Sequence, residues 1–96
     1  MAGTQYWGAG RLGTHQSVDY TGTAGTITNV VGTGCFKVRV VVTSAAYVKV
    51  DNSPTATAAD VYVPADSPEY FTVTPGQKVS AIQVVSGGTL HVTEVS

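Results

Sequence analysis

The chain carries two histidines, His15 and His91, and a single cysteine, Cys35. A histidine does acid–base work when a nucleophile and an orienting acid stand within its reach. His15 lies in the glycine-rich opening MAGTQYWGAGRLGTHQ, and His91 takes an outward position in the closing TLHVTEV. No spacing ties either to a partner, so both read as solvated residues. A nucleophilic thiolate needs an electropositive setting and a base. Lys37 and Arg39 follow Cys35 closely, but Cys35 opens a strongly apolar run and reads as a small buried residue.

The carboxylates Asp51, Asp60, Asp66 and Glu69 fall around two turn signals. Loop carboxylates hold Ca²⁺ when they recur at nearly every other position, and these do not. Turn chemistry accounts for Asp66, because an aspartate accepts backbone N–H groups there. The glycine groups GTAG, GTG and SGG lack the GKS or GKT ending of a phosphate loop. The expectation is therefore a non-enzyme with no cofactor and no metal.

Contact residues are a different matter. Tyrosine and tryptophan dominate binding hot spots because they bury a large area at small entropic cost. The candidates are Tyr6, Trp7 and Arg11 near the N-terminus, and Tyr47, Tyr62 and Tyr70 along the chain. Tyr20 belongs to the same aromatic set.

The elements that must position these residues are strands. CFKVRVVVTS places Phe36, Val38, Val40 and Val42 on one face and Lys37, Arg39 and Thr43 on the other, with Val41 breaking the polar face. AAYVKVDN sets Val48 and Val50 against Tyr47, Lys49 and Asp51. In EYFTVT, Phe71 and Val73 point inward, as do Leu90 and Val92 in TLHVTEV. SVDYTGTAGTITNVV reads as one or two strands interrupted at Gly22 and Gly25. VYVP is a short strand, KVSAIQVV a longer one, and TATAAD a surface loop. Pro75-Gly76 fits the centre of a type II turn, and Gly87-Gly88 fits a two-residue primed hairpin. Six to eight short strands at this spacing predict an all-β fold, a small antiparallel sandwich or jelly-roll-like barrel. It spans residues 17–96 as one domain, behind an extended glycine-rich arm of residues 1–16.

A chain of 96 residues with 11% charged residues and a net charge of −1 has no basic stripe for nucleic acid. Its apolar runs fall far short of a membrane span. The N-terminus lacks the basic and apolar regions of a signal peptide, so the expectation is a cytoplasmic, reduced protein. A domain this small is marginal alone, and a lone cysteine forms no internal disulfide. Oligomerisation or docking onto a partner is the remaining support.

Residues 51–96, DNSPTATAADVYVPADSPEYFTVTPGQKVSAIQVVSGGTLHVTEVS, resemble the C-terminal half of short all-β proteins encoded among the virion structural genes of tailed bacteriophages. The elements that carry the likeness are NSPTAT, the YVPAD turn, EYFTVTPGQKVSAIQ and LHVTE, with a weaker likeness over residues 17–50. Such families have no established catalytic residues, and none is carried over. The resemblance implies a head-associated decoration or cement protein, made in the bacterial host cytoplasm and located on the capsid surface of the virion. Its partners would be the major capsid protein and copies of itself, as a homo-oligomer with a trimer favoured by analogy. A head–tail joining, tail or fibre-base protein is the second reading. A small carbohydrate- or receptor-binding β module is the third.

Overall fold

Valine alternation decides the architecture. A computed structural model describes residues 12–95. In β3 (Lys37–Val42), Val38, Val40 and Val42 are fully buried, while Lys37, Arg39 and Val41 lie half-buried on the opposite face. Successive side chains of a strand point to opposite faces, and β-branched residues suit a pleated, half-buried surface. The same period sets β4 (Ala46–Asp51), where Ala46 and Val48 are buried, and β8 (Gly88–Val95), where Leu90 and Val92 are.

The other strands are β1 (Leu12–Tyr20), β2 (Gly25–Thr26), β5 (Val61–Val63), β6 (Glu69–Thr72) and β7 (Lys78–Gln83). They form two four-stranded antiparallel sheets. Sheet A has the order β1-β8-β3-β6, and sheet B the order β2-β7-β4-β5. The chain changes sheet at every connection except β4 to β5. That wiring is the eight-stranded jelly roll. The expected all-β sandwich is what forms. Its core comes from both inner faces, chiefly valines, with Ile27, Leu90 and Tyr20 as the largest buried side chains.

One end of the sandwich is closed by backbone bonds between connections. Asp66 N–H donates to Val42 C=O (2.8 Å), Gln83 N–H to Thr21 C=O (3.0 Å) and Val84 N–H to Ala45 C=O (3.2 Å). Tyr20 reaches this end from β1. Its hydroxyl donates to Ser44 C=O and accepts from Ser44 N–H. At the other end, Val31 N–H donates to Gln77 C=O (2.7 Å) and Val73 N–H to Phe36 C=O (2.9 Å). Loops stay ordered when their polar groups find such partners, and among the described residues no buried side-chain nitrogen or oxygen lacks one.

The Pro75-Gly76 turn forms as expected. Gln77 N–H donates to Thr74 C=O (3.1 Å), and Gly76 has φ +95°, which only glycine adopts without strain. The Gly87-Gly88 hairpin does not form. β7 lies in sheet B and β8 in sheet A, so residues 84–87 cross between sheets rather than joining paired strands. Neither glycine has positive φ. Their requirement is steric instead. A Cβ on Gly87 would sit 2.7 Å from Tyr20 O, and one on Gly88 would sit 2.7 Å from Thr43 Oγ1.

Three other features differ from the sequence reading. β1 begins at Leu12, inside the segment read as the arm, because residues 12–16 pair with the end of β8. The rest of that segment, residues 1–11, lies outside the described residues. Phe36 shares the inner-face parity of Val38 but stands beyond the end of β3, and 60% of it is exposed. The TATAAD loop is not wholly at the surface, because Ala56 is buried.

Candidate functional site

The inner faces are filled with apolar side chains, so function falls to the outer faces and the edges. The strand register fixes what each outer face presents. On sheet A, one cross-strand row runs His15, Thr93, Arg39, Tyr70, and the next runs Ser17, His91, Val41. His15 and His91 are 76 positions apart in sequence and diagonal neighbours on this face. His15 Nδ1 lies 2.8 Å from Thr93 Oγ1, and His15 Nε2 lies 3.4 Å from His91 Nδ1. The rings are near-parallel, 23° apart, with centroids at 5.4 Å. His91 points outward as expected, His15 lies on β1 rather than in an arm, and their pairing depends on the β1–β8 register, which neither local segment displays.

On sheet B, Tyr62, Tyr47 and Ile82 form one row, and Lys49, Ser80 and Thr26 the next. Two of the expected contact residues meet here. Tyr47 and Tyr62 lie directly opposite across β4 and β5, edge to face, with centroids 6.1 Å apart. Such a geometry places the positive edge of one ring on the negative face of the other. Tyr62 remains mostly exposed at the sheet edge, whereas Tyr47 is half-buried.

The adjoining part of this face is covered. Residues 52–60 fold back over it as a strap. Ser80, on β7, is fully buried beneath, and its Oγ accepts from Ala56 N–H (3.1 Å). The Thr26 hydroxyl lies within hydrogen-bond reach of both Ser80 Oγ (3.1 Å) and Pro54 C=O (3.2 Å). The strap closes on itself, with Thr57 N–H donating to Asp60 Oδ2 (2.7 Å) and Asp60 N–H to Thr57 C=O (3.0 Å). Asp60 therefore serves a loop. Asp51 likewise accepts from Asn52 N–H (2.7 Å), and Asp66 holds a left-handed turn position at φ 59°. Among the described residues, no three His, Cys, Asp or Glu side chains stand close enough to share a metal ion.

Tyr70 sits on the opposite sheet from the Tyr47–Tyr62 pair, on edge strand β6. β5 and β6 are the outermost strands on one flank, joined by residues 64–68. This flank exposes Val61 (56%), Tyr62 (54%) and Tyr70 (44%). Phe36 stands beside the continuation of β6, through the bond from Val73 N–H. Phe36 also lines a shallow depression of about 310 Å³ with Gly34, Lys37 and Val95, where β1 begins opposite Val95. Tyr6, Trp7 and Arg11 lie outside the described residues. Cys35 is buried, as expected, with its thiol 3.2 Å from Lys37 C=O.

Sequence reasoning missed Thr93, Ser80 and the strap. Ser80 sits at an outward position of KVSAIQ, where a small polar residue reads as solvated. The only local signal was the run of small residues in TATAAD, which suits a chain lying flat on a sheet. Searched against family models, curated proteins and solved structures, the chain matches none of them.

Proposed function

We propose that the protein is a non-enzymatic structural protein of a tailed-phage virion. In its first form it is a decoration or cement protein that braces the head by contacts with the major capsid protein and with its own copies. The observation that supports this is the β5–β6 flank, where two strands, each at a sheet edge among the described residues, carry Val61, Tyr62 and Tyr70 in solvent. An open strand edge offers backbone donors and acceptors to another chain. Exposed tyrosines beside it provide large rigid contact area at low entropic cost. Modest contacts repeated over a lattice add up to strong retention. The resemblance of residues 51–96 to phage virion proteins adds the setting.

A neck, tail or fibre-base position uses the same surface and differs in stoichiometry. Quantitative mass spectrometry of intact virions separates the two. Copies on the order of hundreds, in simple ratio to the major capsid protein, support decoration. About six to twelve copies place the chain in a ring at the neck or tail, as closed cyclic symmetry requires. Absence from the particle removes both. The Tyr47–Tyr62 pair favours one further reading, a carbohydrate-binding module in which a sugar ring lies on Tyr62. A glycan array without hits would exclude that reading.

A further inference from the structure

The outer face of sheet A holds the only two histidines of the chain side by side. Two Zn–N bonds of about 2.0–2.1 Å enclosing a roughly tetrahedral angle span about 3.3–3.4 Å between nitrogens. His15 Nε2 and His91 Nδ1 are 3.4 Å apart. The remaining nitrogen of His15 is anchored, because Nδ1 lies 2.8 Å from the hydroxyl of Thr93, a residue only 9% exposed. With Nδ1–H donating to Thr93, the lone pair of His15 sits on Nε2, where it accepts from His91 Nδ1–H in the metal-free protein; a cation replaces that bond with the His91 proton moved to its Nε2. Metal-ligating histidines are held in this way, by a hydrogen bond from the nitrogen that does not bind.

We propose that His15 and His91 form a two-histidine chelate for a divalent first-row transition cation such as Zn²⁺ or Ni²⁺. Imidazole suits these ions. Aiming both lone pairs at one cation requires the near-parallel rings to open by rotation of the His91 side chain, while Thr93 keeps His15 in place. Asp19 occupies the other diagonal beside His91 on β1, and its carboxylate accepts from the Thr89 hydroxyl (2.9 Å). Arg39, across from Thr93, and Lys37, two residues before it on β3, are opposing positive charges on the face. Two protein ligands leave the remaining coordination positions to water. This inference does not depend on the virion reading.

The test uses the full chain without a polyhistidine tag, on immobilised Ni²⁺ and in calorimetric titration with ZnCl₂. The wild type is retained on the column and binds one Zn²⁺ per chain. His15→Gln and His91→Gln each lose retention, with Zn²⁺ affinity down at least about tenfold, because one ligand forfeits the effective concentration of the other. Thr93→Val keeps both ligands and weakens binding by about tenfold through the lost anchor. A wild type that passes through the column, or single variants retained as well as wild type, overturns the chelate. If a variant melts early, proton NMR of the wild type decides. The imidazole C–H signals of both histidines shift together with Zn²⁺ if the chelate forms, and a shift of neither or only one overturns it.

Discussion

The two outer faces of the sandwich come from sheets of equal strand number and opposite treatment. Sheet B hides half of its face under its own chain. The strap of residues 52–60 covers Ser80 and leaves only the row of Tyr62, Tyr47 and Ile82 open. No loop among the described residues crosses the middle of the sheet A face, which long side chains protect. His15 and Arg39 flank Thr93, which is 9% exposed. Coverage by backbone demands hydrogen-bonding partners on the face beneath, and Ser80 and Thr26 provide them. Coverage by side chains demands none, and it leaves polar tips free for other contacts. A small hydroxyl residue is thus a fastener on one sheet, as Ser80, and a side-chain anchor on the other, as Thr93.

The comparison rests on one shared core, and removing part of that core should damage both faces equally. Leu90 is fully buried between Val18 and Val42 on the inner face. Leu90→Ala should cost about 2–5 kcal/mol in urea unfolding. Val41→Ala, on the outer face of the neighbouring strand, should cost under about 1 kcal/mol. Equal losses at both positions would mean that the outer face of sheet A is covered as the core is.

Ser80→Ala tests the strap directly. It leaves Ala56 N–H buried without its acceptor, at a cost of about 1–3 kcal/mol. Limited proteolysis should find new cleavage within residues 52–60 while the outer face of sheet A, read by the His15 and His91 NMR signals, stays unchanged. Cleavage spread over both sheets would show that the strap supports the whole fold rather than one face.

Tyr20 ties the two sheets at the corner, and its removal should affect both. Tyr20→Phe leaves Ser44 without its hydroxyl partner, and about 1 kcal/mol should be lost. Burial pushes the Tyr20 hydroxyl above its ordinary pKa of 10.0, and the bond it accepts from Ser44 N–H, which favours the phenolate, opposes that shift in part. The unfolded chain therefore releases this proton first. The contribution of Tyr20 is full below pH 10 and falls as the pH climbs past it. Stability measured from pH 8 to 11 should decline less steeply in the Phe variant than in the wild type. An equal decline would remove Tyr20 as the source of the loss.

The smallest effect belongs to the open row of sheet B. A double-mutant cycle on Tyr47→Ala and Tyr62→Ala should give a coupling of about 0.5–1 kcal/mol, the usual range for an edge-to-face pair. A coupling near zero would mean that the tyrosines merely share a face and are held for contact with something else.

What could be read from the sequence was whatever repeats every second residue. Val38, Val40, Val42, Leu90 and Val92 announced an inner face, and all are buried. The type II turn at Gly76 was legible because its chemistry lies within four residues. Pairing between distant strands was not. Gly87-Gly88 carries the composition of a hairpin, yet its glycines answer crowding from Tyr20 and Thr43, residues far away in the chain. The His15–His91 and Tyr47–Tyr62 pairs follow from register alone. Register between distant segments depends on which strands become neighbours, and alternation says nothing about that.

The wiring of sheet A has a consequence for how the molecule is made. β8 lies between β1 and β3, so the first strand of the described chain has no neighbour until the last one is available. A ribosome delivers roughly 5–20 residues per second. Throughout that time β1 waits, while sheet B already has β2, β7, β4 and β5 to assemble. Pairings this distant close slowly. A nascent chain halted before Gly88 should leave β1 open to protease, and its protection should appear once β8 clears the exit tunnel.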